Sequence, residues 1–186
     1  MTKPTMTRRG ILRAFAATAV TAAPFAANAT GLLRGAGDIR KLKMYASRTG
    51  ETLDMVYWIE GEYIRPAIEE ISYLMRDWRT GETRDIDPVT LDILAATHNL
   101  VDTNEPYMLL SGYRSQATNA MLRRRSSGVA RNSLHIPGKA ADIRLSSRSV
   151  SQVSRAAQSM GAGGVGRYSR SNFTHMDSGA VRTWGG

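Results

Sequence analysis

The chain has 186 residues, a formal net charge of +9, 42% hydrophobic residues and no cysteine. The absence of cysteine excludes a thiol nucleophile, a thiolate-ligated metal site and a disulfide framework. The positive balance favours anionic partners.

The N-terminal segment reads as an address. Thr7-Arg8-Arg9-Gly10-Ile11-Leu12-Arg13 is a twin-arginine pattern, an alanine-rich apolar run follows from Ala14 to Ala27, and Ala27-Asn28-Ala29 is a small-x-small cleavage site. The run is shorter and less apolar than the roughly 20 residues a spanning helix needs. The expectation is a signal peptide over 1–29, cleaved after Ala29, and export by the twin-arginine machinery to the periplasm. No stable membrane span would remain; an uncleaved anchor is the alternative. Cleavage leaves 157 of the 186 residues, enough for one domain with a core. It removes Lys3, Arg8, Arg9 and Arg13 and no acid, so the net charge falls from +9 to +5. Residues 30–39 are small and glycine-rich and read as a flexible lead-in. The domain is expected over 40–186.

Within it, Leu42 to Ser47 and Thr52 to Trp58 read as two strands joined at Thr49-Gly50-Glu51. The spacing of Ala67, Ile68, Ile71, Leu74, Met75 and Trp78 predicts a helix over 66–78. Asp87-Pro88 is an N-cap followed by proline at the first helical position. It opens a second helix with a stripe of Leu91, Leu94, Ala95, His98 and Val101. Strands are predicted at Tyr107 to Ser111, Ala140 to Leu145, Val165 to Tyr168 and Phe173 to Asp177. Helices are predicted from Ser115 to Arg125 and, behind a Ser149/Gln152 capping box, from Val150 to Met160. These elements make a single α+β domain, a largely antiparallel sheet flanked by helices.

The chemistry concentrates in two short segments. Ser133-Leu-His135-Ile-Pro-Gly-Lys-Ala-Ala-Asp142 is followed by Phe173-Thr-His175-Met-Asp177, and the chain has only three histidines. In the strand from Ala140, the apolar Ala141, Ile143 and Leu145 face one way, so alternation turns Asp142 to the other face. The Pro-Gly turn after His135 lets the chain fold back toward Asp142. His135, Asp142 and His175 are therefore candidate ligands of one zinc ion, with a fourth position left for water. Equally open from spacing alone are a turn-capping His135, a hydrogen-bonded core His175 and an ion-paired Asp142. His98, on an apolar stripe, reads as a core histidine.

The segment Ser133-x-His135-x-x-Gly138-x-Ala140-x-Asp142 resembles the signature of the zinc D-alanyl-D-alanine metallopeptidases, the clan that includes lysostaphin and the hedgehog signalling domain. Ser111-Gly-Tyr-Arg114-Ser, Gly163-Gly-Val-Gly-Arg-Tyr168 and Phe173-Thr-His175-Met-Asp177-Ser-Gly-Ala-Val-Arg-Thr-Trp184 are similar to its K-type periplasmic murein endopeptidases. The resemblance runs from about Arg40 to Trp184. It implies a hedgehog/D,D-peptidase-like fold and one zinc ion per chain held by His135, Asp142 and His175. It also implies hydrolysis of peptide cross-links between peptidoglycan stem peptides, such as D-alanyl–diaminopimelate bonds, in cell-wall remodelling. Arg114 matches an arginine that faces the scissile carbonyl, where a guanidinium would stabilise a developing oxyanion. Ser133 matches a clan position near the substrate, with a turn-capping serine as the plain alternative; Tyr168 and Trp184 are candidates to line the cleft, with aromatic packing as theirs.

One position departs from the pattern. Where clan members carry a carboxylate base three residues before the last histidine, this chain has Asn172. An amide cannot accept a proton from the attacking water. Asp177, on the same strand face as His175, is then either the base or a partner that orients a ligand. The alternatives to an endopeptidase are a D,D-carboxypeptidase and an inactive zinc-containing wall-binding module. Arg123-Arg124-Arg125 suits the C-terminal end of a helix and would attract wall anions. Nucleic acid is not an expected partner of an exported chain.

Overall fold

The computed structural model describes residues 37–186, so the expected signal peptide over 1–29 and most of the expected lead-in over 30–39 lie outside the described residues. Strands β1 (Ile39–Ala46), β2 (Thr52–Ile59) and β3 (Glu62–Tyr63) lead to helix α1 (Arg65–Leu74) and helix α2 (Pro88–Leu100). Strand β4 (Tyr107–Ser111), helix α3 (Gln116–Arg125), strand β5 (Ala140–Arg144) and helix α4 (Val150–Ser159) follow. Strands β6 (Gly164–Tyr168), β7 (Phe173–Asp177) and β8 (Arg182–Gly185) close the chain. All eight strands form one sheet in the order β3-β2-β1-β4-β5-β7-β6-β8. Only β1–β4 and β6–β8 pair in parallel. The α+β class and the largely antiparallel sheet agree with the sequence reading.

The helix boundaries follow their caps. Asp87 accepts from the Val89 N–H at 3.0 Å with Pro88 behind it, and Ser149 and Gln152 form the complete capping box. Helix α1 is shorter than predicted and ends at Leu74. The apolar periodicity runs on through Met75 and Trp78, but the Met75 carbonyl is taken by the Tyr113 N–H at 2.7 Å instead of continuing the helix. Trp78 leaves the core and stands 38% exposed. The two short edge strands, β3 and β8, carry no period-2 signal long enough to read. His98 is half-buried: its Nε2 meets the Glu105 carbonyl at 2.7 Å and its ring lies edge-on to Tyr107.

One face of the sheet holds the core. Leu42, Met44, Tyr107, Ile143, Val165 and Met176 are buried with Ile71, Leu91 and Leu94 of the helices. Thr174 bonds Ser154 of α4, and Thr97 of α2 bonds the Met176 sulfur. Alternation therefore turns the residue between them, His175, away from the helices.

A buried charge cluster ties the first hairpin to α2. Asp92 is 1% exposed and accepts from the Tyr57 hydroxyl at 3.0 Å and the Tyr63 hydroxyl at 2.6 Å, and pairs with Arg40 at 2.6 Å. The Arg40 guanidinium also lies 4.3 Å over the Trp58 ring. Burial, and after it the Asp92 charge, pushes the Tyr57 hydroxyl well above the usual phenol range, so it stays a donor. Removing one member of such a pair strands the other in low dielectric. Asp92→Ala should therefore lower unfolding stability by about 3–5 kcal/mol, measured by denaturant titration. Asp54→Ala, which breaks the exposed Lys41–Asp54 pair, should leave stability nearly unchanged. Equal losses in both variants would contradict this role for Asp92.

Candidate metal centre

The strand register assembles most of the site. Across the sheet, Ser111 pairs with Asp142, Asp142 with His175, His175 with Gly166, and Gly166 with Trp184. Directly paired residues share a face, so these five side-chain positions form one row on the side away from the helices. Two residues along, Ala140, Asp177, Gly164 and Arg182 form a second row. Each row needs a glycine in the β6 column. A Cβ on Gly166 would come within 2.6 Å of the Trp184 ring, so glycine there lets Trp184 lie across β6 with its ring 5.2 Å from that of His175.

His135 arrives from a loop. Its carbonyl accepts from the Arg114 N–H at 3.1 Å, and the turn behind it closes through Ile136 N–H to Ser133 and Lys139 N–H to Leu134. His135 is 2% exposed. Its Nδ1 lies 2.7 Å from the Gly112 carbonyl, which only accepts, so Nδ1 carries the proton and Nε2 presents a lone pair. His175 is arranged in mirror fashion: Nε2 donates to Asp177 Oδ2 at 2.9 Å, which leaves Nδ1 as the inward atom, 2.8 Å from Asp142 Oδ1.

The three inward atoms converge. His135 Nε2 is 3.3 Å from His175 Nδ1 and 3.3 Å from Asp142 Oδ1, and His175 Nδ1 is 2.8 Å from Asp142 Oδ1. A tetrahedral ion bonded at about 2.0–2.2 Å has ligand atoms about 3.3–3.6 Å apart, so the two edges at His135 match one face of that tetrahedron and the His175–Asp142 edge, at 2.8 Å, is shorter. The same three residues are the one His/Asp/Glu cluster of metal-binding geometry among the described residues. Two nitrogen donors and one carboxylate, each ring anchored by its outer N–H, fit a mononuclear zinc site.

Asp177 sits behind His175 rather than beside the three inward atoms. It is fully buried. Its oxygens accept from Gly164 and Gly179 N–H, from the His175 ring and from both Arg182 terminal nitrogens, at 2.8–3.2 Å. Burial opposes its charge, but His175, Arg182 and Gly179 hold its carboxyl well below the usual range. A carboxylate so fully engaged and so weakly basic suits orientation of His175 and leaves no lone pair for a base. Asn172 is exposed and lies at the β6–β7 turn with φ +53°. Arg182, part of the resembling stretch but given no role from sequence, is the residue that locks Asp177.

Arg114 borders the ligands. Its Nη2 is 3.6 Å from Asp142 Oδ2, and 3.3 Å contacts run to Ser111 and Asn119. Its Nε is buried with no acceptor. Tyr168 stacks on Phe173 at 4.4 Å and its hydroxyl accepts from Trp184 Nε1 at 2.9 Å, forming a wall next to His175. Ser133 is half-buried at the start of the His135 turn.

These features make a candidate metal centre on the face of an α+β sheet away from the helices, of the kind a metallopeptidase would use. Residues 34–184 match the family described as peptidoglycan L,D-endopeptidase MepK, and the chain belongs to that family. It is 40% identical over 145 residues to the peptidoglycan L,D-endopeptidase MepK of Escherichia coli K12, covering 78% of this chain and 80% of the relative. The Shigella flexneri protein of the same name matches at the same level. A probable peptidoglycan L,D-endopeptidase MepK of Haemophilus influenzae is 42% identical over 139 residues, covering 74% and 75%.

The site also sets a pH dependence. Burial opposes charge on His175, yet its bonds to Asp142 and Asp177 outweigh that and push it up to about 9. Burial pushes His135 down. In chelator-treated protein, His175 is then the group that holds a proton near neutrality. Its folded value lies above the ordinary 6.5, so its contribution to stability is full below about 6.5 and is lost as pH rises through 9. A metal must displace that proton. Apparent metal affinity should rise about tenfold per pH unit from 7 to 9 and then level off. Zinc titrations in competition with a chelator measure it, and a flat profile over that range would contradict the assignment.

Proposed function

We propose that this protein is a zinc-dependent endopeptidase that hydrolyses peptide cross-links of peptidoglycan. The observation that carries the proposal is the triangle of His135 Nε2, Asp142 Oδ1 and His175 Nδ1, with both outer ring N–H groups already committed. His135, Asp142 and His175 would hold one zinc ion, which supplies carbonyl polarisation and a water of lowered pKa when bound. Asp177, locked by Arg182, keeps the His175 ring in the ligating tautomer. Arg114 offers donors to the scissile carbonyl oxygen as charge develops there. Tyr168 and Trp184 wall the cleft beside His175, and Ser133 borders it at the His135 turn.

The relatives' name specifies a bond between residues of opposite configuration, whereas the motif resemblance points to D-alanyl–diaminopimelate bonds. The reading adopted for this chain follows the relatives: an L,D bond within the cross-link. Their endopeptidase name also favours internal cleavage over trimming of terminal D-alanine. Export to the periplasm rests on Arg8-Arg9 and the Ala27-Asn28-Ala29 site. N-terminal sequencing of the exported protein should start at Thr30, and an intact leader on it would refute cleavage.

The roles separate in variants assayed for zinc content and muropeptide cleavage on the same preparation. Asp177→Asn should weaken zinc binding about 10- to 100-fold and leave turnover per loaded site within about tenfold of wild type. If Asp177 were the base, zinc would be retained and turnover would fall by roughly 10²- to 10⁴-fold. Arg114→Lys keeps the charge but loses the planar fork, so turnover should fall with zinc unchanged. His98→Ala should keep both. A wild-type protein that holds zinc but cleaves no cross-linked muropeptide would leave the wall-binding module in place of the enzyme.

A further inference from the structure

The segment 75–79, which leaves the helix early, is built against the loop that carries Arg114. The Met75 carbonyl accepts from Tyr113 N–H, and Gly112 packs so closely that a Cβ there would fall 2.4 Å from that carbonyl oxygen. Asp77, 2% exposed, clamps the two loops: Oδ1 accepts from Arg79 N–H at 3.0 Å and Oδ2 from Ser115 N–H at 2.9 Å. Gly112 in turn holds the His135 ring. Trp78 and Arg79 are thus fixed relative to the metal centre through a short, buried path.

What this segment presents is cationic and aromatic. The Arg79 guanidinium lies 4.0 Å and the Arg48 guanidinium 5.4 Å from the Trp78 ring. Arg48 and Trp78 share a groove with Ser111 and Gly112, which lead to Arg114. Arg48, Arg79 and Arg125 are exposed, and none has a carboxylate within ion-pair distance among the described residues. Two neighbouring acids are already engaged: Asp77 accepts from the Arg79 and Ser115 N–H groups, and Glu51 pairs with Arg76. The basicity of Arg79 is lowered, first by partial burial and then by the positive charges of Arg114, Arg48 and Arg125. Gathering like charges on a rigid aromatic support without counter-ions costs stability, and an anionic ligand relieves that cost.

We propose that Arg48 and Arg79, laid on Trp78, form an anion-binding arm of the cleft that grips a free carboxylate of the stem peptide next to the cleaved bond. This deepens the peptidoglycan reading and rests on it. Guanidinium forks match carboxylates in two-point contact, and the Trp78 face holds them pre-set, so ordering costs little. The arm acts on binding and not on the reacting bond, since the arginine that borders the candidate ligands is Arg114, 3.6 Å from Asp142.

The test uses a monomeric muropeptide, which has no cross-link to cut, and its counterpart with all free carboxylates amidated. Binding to the zinc-loaded protein is read by calorimetry. For the carboxylate form, Arg48→Ala/Arg79→Ala should weaken Kd about 10- to 100-fold, and Arg48→Lys/Arg79→Lys should recover part of it. Amidation should weaken wild-type binding by a similar factor and leave the double-alanine variant unaffected. On cross-linked muropeptide the variant should raise KM and spare kcat. An unchanged Kd in the double-alanine variant, or an equal loss toward the amidated form, would overturn the proposal. Failure of the enzyme reading looks different: wild type binds the monomer in the carboxylate-dependent way but cleaves no cross-link.

Discussion

The site depends on the register of β5 against β7. Pairing Asp142 with His175 puts a carboxylate and an imidazole side by side on the face away from the helices. On the other side of β7, the β6–β7 and β6–β8 registers set Asp177 beside Gly164 and Gly164 beside Arg182, so His175 and Asp177 are both placed by β7. A slip of one residue would send His175 into the core and Thr174 to the site. The apolar residues that alternate with the functional ones, Ala141, Ile143 and Met176, oppose that slip because each is fully buried. The core therefore specifies the site's geometry as well as stabilising the fold.

Charges on this scaffold are kept by compensation. Asp142 is held well below the ordinary carboxylate range: burial opposes its charge, but His135 and His175 outweigh it. Asp177 is held low by His175, Arg182 and backbone N–H groups. Toward the other end of the sheet, buried Asp92 is paired with Arg40 and accepts from two tyrosine hydroxyls. Arg48 and Arg79 beside Trp78 differ: Arg76 of the same segment is paired with Glu51, but these two have no carboxylate partner among the described residues. That asymmetry is why this pair stands out as a place for a ligand instead of a place for packing.

Much of this was legible in the sequence, and the misses have physical causes. Alternation around Asp142 gave its facing correctly, and the Asp87-Pro88 and Ser149/Gln152 caps placed two helix starts to the residue. The convergence of His135 on the other two depended on a loop whose path no periodicity encodes, so spacing alone left it open. Trp78 was misread because hydrophobic periodicity does not sense a carbonyl captured by another loop. Asp177 was ambiguous because strand facing shows which side a carboxylate is on but not which nitrogen it meets. Here it meets the outer nitrogen of His175, and Arg182 with the Gly164 and Gly179 N–H groups engages the rest of its oxygens.

The central claim is that the two inward ring nitrogens and Asp142 Oδ1 hold a single ion. X-ray absorption at the zinc edge of the loaded protein tests this directly. The expected spectrum has one zinc with about four nitrogen or oxygen neighbours near 2.0–2.1 Å, imidazole scattering from two rings, and loss of one ring's signature in His175→Ala. A second metal at about 3.5–4 Å, or a His175→Ala spectrum identical to wild type, would contradict it.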